Sequence, residues 1–296
     1  MIVSASYRTD IPAFYGRWFL NRLEAGYARV VNPYGGPPGQ VDLTPAAVDG
    51  FVFWTRNLAP FGAALDAVDA RGTPFVAQVT VTAYPRALER SVIAWDDAVA
   101  QLRAVRDRWG PRAAVWRYDP IVLTTLTPPV WHRDTFARLA AALRGVTDEV
   151  TVSFMQPYRK TARNLDAAAR VAGFSWHAPV AEEERALLAT LSGIAAENGM
   201  ALTLCTQPDL ADVPGVQAAR CVDAARLSDV AGAPVAARQK GNRPGCLCAE
   251  SRDIGAYDTC PHGCAYCYAV SSRTTARTRF QAHDPEGEFL FAVNPR

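Results

Sequence analysis

Short β-rich runs alternate with helical stretches over residues 1–207. The runs Ile2–Ser6, Ala28–Asn32, Phe51–Thr55, Phe75–Thr82, Ala114–Tyr118, Val150–Met155 and Leu202–Cys205 read as strands. Between them Ala13–Glu24, Ala59–Ala70, Trp95–Arg108, Arg133–Leu143 and Glu182–Glu197 carry helical spacing. Repeated βα units predict a parallel sheet with crossover helices. Seven strands in about 205 residues suit a (β/α) TIM-like barrel better than a doubly wound sheet. No eighth strand is visible, so the barrel is expected to be incomplete or permuted. Pro214–Leu227 reads as a further helix, and after it Gly, Pro and Cys dominate. The expected division is a barrel over 1–212 and a cysteine-rich segment, 213–296, folded over its mouth as part of one unit.

The strand ends are polar. Side chains two apart on a strand share a face, so Gln78, Thr80 and Thr82 form one polar row backed by Val79 and Val81. Arg117 and Asp119 form another. Ligands of a parallel barrel sit at the carboxyl ends of its strands. Ser6, Arg8, Arg56, Gln78, Thr80, Arg117 and Asp119 are therefore the candidates to hold a cofactor or substrate. A guanidinium grips a carboxylate with two parallel hydrogen bonds. The plainer alternative is ion pairing of Arg8 with Asp10 and of Arg117 with Asp119. Tyr34-Gly-Gly-Pro-Pro-Gly39 is either a lid or a turn-rich loop. Lys240, Arg243, Arg273, Arg277 and Arg279 read as a solvated basic face.

Composition narrows the class. The chain has 296 residues, 49% of them hydrophobic and 20% charged, as in a soluble globular protein. A net charge of +2 gives no bulk electrostatic case for nucleic acid. No run of about 18 apolar residues occurs, and the start reads as a strand rather than a signal peptide. These features predict a cytoplasmic protein with no membrane partner. No Ser/His/Asp triad or P-loop spacing is present.

All seven cysteines lie between 205 and 267. In a reducing compartment an odd count argues against a disulfide framework. Cys260, Cys264 and Cys267 are spaced C-x3-C-x2-C, one ligand short of a closed four-cysteine site. Three thiolates can hold three irons of a 4Fe–4S cubane and leave the fourth open. Zinc completed by His262 or another cysteine is the rival, because zinc prefers four N/S ligands in paired spacing. The other four, Cys205, Cys221, Cys246 and Cys248, match the number that closes a second cluster. A structural zinc or buried free thiols remain the alternatives.

The Cys260-Pro-His-Gly-Cys264-Ala-Tyr266-Cys267 run resembles the signature of the radical S-adenosylmethionine (SAM) superfamily. That resemblance implies a full or partial (β/α) barrel, a SAM-binding 4Fe–4S cluster on Cys260, Cys264 and Cys267, and radical chemistry on an unknown substrate. It also implies S-adenosyl-L-methionine as cosubstrate and a reductase, flavodoxin or ferredoxin as electron donor. Superfamily members usually carry the thiols just after the first strand, whereas here Ser6-Tyr-Arg-Thr-Asp10 stands there. The position implies either a permuted barrel or a segment that folds back over the mouth. No Gly-Gly-Glu strand is present, so the superfamily's SAM contacts do not carry over.

A closer resemblance covers nearly the whole chain. Ser4-Ala-Ser-Tyr-Arg-Thr-Asp-Ile-Pro-Ala-Phe-Tyr-Gly16, Trp116-Arg-Tyr-Asp-Pro-Ile121 and Cys246-Leu-Cys-Ala-Glu-Ser-Arg-Asp-Ile-Gly-Ala-Tyr-Asp-Thr-Cys260 are similar to motifs of a bacterial family of unknown function. The likeness to spore photoproduct lyase is looser, through barrel and thiol run only. Two further readings stay open: a structural iron–sulfur or zinc binding protein, and a DNA-lesion lyase.

Overall fold

A computed structural model describes residues 1–33 and 35–291. Ten strands are β1 (Ile2–Ala5), β2 (Tyr27–Val30), β3 (Gly39–Asp42), β4 (Gly50–Thr55), β5 (Phe75–Thr80), β6 (Ala114–Ile121), β7 (Glu149–Phe154), β8 (Ala201–Leu204), β9 (Val216–Ala218) and β10 (Ser251–Asp253). The α-helices are α1 (Ile11–Phe14), α2 (Gly16–Ala25), α3 (Gly62–Ala70), α4 (Trp95–Trp109), α5 (Pro129–Leu143), α6 (Arg159–Ala172), α7 (Ala181–Glu197), α8 (Ala224–Ala231) and α9 (Arg273–Gln281).

Eight strands form one parallel sheet in the order β10-β1-β4-β5-β6-β7-β8-β9. Among the described residues no ladder joins β9 to β10, so the sheet is open there. The expected α/β architecture is present, and two of its parts need correction. The segment Ala28–Asn32 is not a strand of the main sheet: β2 pairs antiparallel with β3 in a separate hairpin. The Gly- and Pro-rich run joins these two strands, and Tyr34 within it lies outside the described residues. Pro214–Leu227 is not one helix either. It divides into β9 and α8, and β10 arises in the segment expected to be irregular. The residues after 212 therefore supply both edge strands of the main sheet.

The two faces of the sheet are built differently, as period-2 alternation requires. On one face Val3, Phe51, Phe53, Phe75, Val79, Trp116, Tyr118, Val150, Val152 and Leu202 pack beneath helices such as α2, α4, α5 and α7. Each such side chain contributes roughly 1.5–3 kcal/mol by leaving water. Helix α4 shows why these segments are helical. Ala98, Val99, Leu102 and Val105 make one buried stripe. Asp96 and Asp97 stand in its first turn and Arg106 and Arg108 in its last, each sign opposing the helix dipole.

On the other face Ile2, Val52, Val76 and Val115 pack against Leu227 of α8 and the segment around Cys221 and Cys248. Toward the strand carboxyl ends this face turns polar, with Ser4, Trp54, Gln78, Arg117, Asp119 and Ser153. Among the described residues no helix is long and apolar enough to cross a membrane.

Candidate functional site

The thiol run is placed by β10. Its last residue, Asp253, is buried and accepts hydrogen bonds from Ser4 Oγ (2.8 Å), Ser6 Oγ (2.7 Å), Tyr7 N (3.0 Å) and Gly255 N (3.0 Å). Gly255 is required for this closure, because a Cβ there would lie 2.0 Å from Ser6 Oγ. The chain then crosses the end of β1: Thr259 Oγ1 donates to Thr9 Oγ1 (2.9 Å), and Tyr15 Oη donates to the Thr259 carbonyl (2.6 Å).

Two polar clamps hold the loop carrying Cys260, Cys264 and Cys267. In the first, His262 Nε2 is hydrogen-bonded to Asp10 Oδ2 at 2.8 Å, and Asp10 also accepts from Arg56 N (2.8 Å) and caps α1 through Ala13 N (3.0 Å). The second is a buried cluster. Arg56 pairs with Glu89 at 2.7 Å and donates to Tyr266 Oη at 2.6 Å; Tyr266 in turn donates to Glu89. Thr82 Oγ1 adds a third donor to Glu89 at 2.6 Å. The three thiols are half-buried. Burial pushes the Cys264 thiol up to about 12, opposed by the Arg56 charge. Cys267 Sγ accepts the Ala269 N–H at 3.4 Å.

The remaining four thiols form a second group. Cys205 follows β8, Cys221 follows β9, and Cys246 and Cys248 lie on the segment between α8 and β10. Cys221 Sγ lies 3.6 Å from Cys205 Sγ, and Val222 N donates to Cys248 Sγ at 3.3 Å. Cys248 neighbours Cys221 and Cys246 in turn, so the four lie side by side. Two guanidiniums face them: Arg117 Nη1 is 3.2 Å from Cys221 Sγ, and Arg243 Nη2 is 3.7 Å from Cys205 Sγ. Among the described residues no three His, Cys, Asp or Glu side chains converge closely enough to hold a single metal ion.

A cavity of about 480 Å³ opens over this second group at the strand carboxyl ends. Its lining includes all four thiols, Arg117 and Asp119, and the rings of Trp54, Tyr257, Tyr266 and Tyr268. Tyr266 and Tyr268 flank Cys267, so the first thiol group borders the same space. Lys160 also lines it, its ammonium 5.4 Å from the centre of the Tyr257 ring and in no salt bridge among the described residues.

The residues expected to bind a cofactor divide between these places. Arg117 and Asp119 line the cavity and pair with each other at 2.5 Å, with Arg117 also stacked over Trp54. Gln78 supports them from below, accepting from Arg117 (3.2 Å) and donating to the Cys221 carbonyl (3.0 Å). Arg56 stands behind Tyr266, and Thr80 lines a smaller neighbouring cavity of about 120 Å³. Ser6 is bound to Asp253. Arg8 faces Asp253 at 3.7 Å, not Asp10, because His262 and the Arg56 amide take the Asp10 carboxylate. Arg243, read as part of a solvated face, lies at the cavity.

Lys160, Glu89, Tyr257 and Tyr268 went unnoticed in the sequence. Tyr268 alone carried a local signal, as a second aromatic beside Cys267. Comparison with curated proteins finds no match. Residues 2–269 match the family described as "Domain of unknown function (DUF1848)", and the chain belongs to that family.

Proposed function

We propose that this protein is a radical SAM-type iron–sulfur enzyme on a partial, permuted (β/α) barrel. One observation carries the reading. The thiol loop leaves the carboxyl end of β10, and β10 stands before β1 at the edge of a sheet whose other strands follow in chain order. In space, then, the cysteines follow the first strand, the place they occupy in the resembling superfamily. Only the chain order differs.

The donor set fits a cubane with one open iron. Cys260, Cys264 and Cys267 would hold it, with the Ala269 N–H directed at one sulfur and Arg56 offsetting thiolate charge. When bound, such a cluster would supply one-electron reductive cleavage of the SAM sulfonium, with methionine as leaving group and the electron from a reductase, flavodoxin or ferredoxin, to start hydrogen abstraction from substrate. The protein's own residues do the rest. The Asp10–His262 and Arg56–Glu89–Tyr266 contacts fix the loop. The cavity gathers the reacting groups at the strand ends, and its tyrosine rings offer flat apolar walls. Lys160 offers a cation to a carboxylate, and Arg117 and Asp119 offer polar contacts beside it.

Anaerobic protein, reduced in the presence of SAM, is expected to release 5′-deoxyadenosine, and SAM is expected to alter the EPR signal of the cluster. The Cys260→Ala/Cys264→Ala/Cys267→Ala variant should do neither. No 5′-deoxyadenosine together with an EPR signal indifferent to SAM would overturn the reading in favour of a structural metal site.

A further inference from the structure

We infer that Cys205, Cys221, Cys246 and Cys248 hold a second iron–sulfur cluster that faces the 480 Å³ cavity. This goes beyond the SAM reading and does not depend on it. Three separate segments converge to deliver these thiols, from the ends of β8 and β9 and from the segment before β10. Free cysteines serving only as small apolar core residues have no reason to meet. Here they lie side by side, and each of three sulfurs has a donor aimed at it: Arg117 on Cys221, Arg243 on Cys205 and Val222 N on Cys248. Donors of this kind stabilise thiolates bound to a metal centre.

The all-sulfur set selects a thiophilic metal over magnesium or calcium. Zinc would need its ligands gathered about one point at roughly 2.3 Å. The 3.6 Å contact of Cys205 and Cys221 would suit one edge of such a site, but no third ligand converges with them. A cubane's thiolates surround a body and not a point, so Cys205 and Cys221 would move apart to hold one. The approach of the Cys246 segment is also built in: a Cβ at Gly241 would lie 2.2 Å from the Cys246 carbonyl oxygen.

The Cys260→Ala/Cys264→Ala/Cys267→Ala chain, reconstituted anaerobically with iron and sulfide, isolates this site. It is expected to retain about four irons and four sulfides per chain. Retention of no iron, or binding of one zinc in preference, overturns the inference. The complementary Cys205→Ala/Cys221→Ala chain should lose about four irons relative to the wild type. Gly241→Ala, which removes no thiol, should lower occupancy of the second cluster in the triple-variant background. Circular dichroism melting of each chain separates loss of iron from loss of fold; full iron in a folded Cys205→Ala/Cys221→Ala chain counts against the proposal. Because 5′-deoxyadenosine reports on Cys260, Cys264 and Cys267 alone, either reading can fail without the other.

Discussion

The guanidinium of Arg56 is buried, with the Glu89 carboxylate, the Tyr266 hydroxyl and Thr82 as its polar company. Burial alone would lower its affinity for a proton, but Glu89 and Tyr266 hold the pKa well above the ordinary arginine value. Removing one partner of a buried pair strands the other charge, at a cost of about 3–5 kcal/mol. Glu89→Ala is therefore expected to lower unfolding stability in urea by about that amount, whereas a change inside 0.5 kcal/mol would mean that water reaches Arg56. At this scale the sequence was half legible. Arg56 stood out at a strand end, and Tyr266 as an aromatic between thiols. Glu89 did not, since it lies in an irregular stretch and two of its three partners, Arg56 and Tyr266, are 33 and 177 residues away.

Helix α5 is tied to β6 by His132, whose Nδ1 is hydrogen-bonded to Tyr118 Oη at 2.8 Å and whose Nε2 meets the Val122 carbonyl at 3.1 Å. Burial lowers the pKa of His132 to about 4. An unfolded histidine titrates near 6.5, so between about pH 6.5 and 4 the unfolded chain binds a proton that the folded one refuses. Stability from this group is complete above that window and falls as the pH drops through it, by up to roughly 3 kcal/mol. Urea midpoints at pH 7.5 and 4.5 should differ less in His132→Asn than in the wild type; equal differences would sink this account. The longer elements were legible because six main-sheet strands and the long helices show their own periods. Strands β9 and β10 have three residues each, too few to show alternation. Val216, Ala219 and Val222, spaced by three, imitated a helical face instead.

Across the whole molecule, the second edge strand decides where the chemistry sits. β10 has only three residues, and Asp253 is the polar bolt that fixes it to β1 through Ser4, Ser6 and the Tyr7 amide. Asp253→Ala strands those donors and frees the loop that follows. It is expected to speed hydrogen exchange over 251–259 and to reduce the iron held by Cys260, Cys264 and Cys267, while the second thiol group keeps its own. Unchanged exchange would show that the ladder alone fixes β10. The alternating pattern of the chain determined the α/β class and the parallel sheet, and the thiol spacing determined the candidate chemistry, because both are local properties of adjacent residues. Only the tertiary structure decided that the sheet is open between β9 and β10, that Cys205, Cys221, Cys246 and Cys248 line one cavity, and that the late thiol loop lies beside the first strand. Those outcomes depend on register and burial between segments 252 residues apart, as in the Asp10–His262 contact, which no local period records.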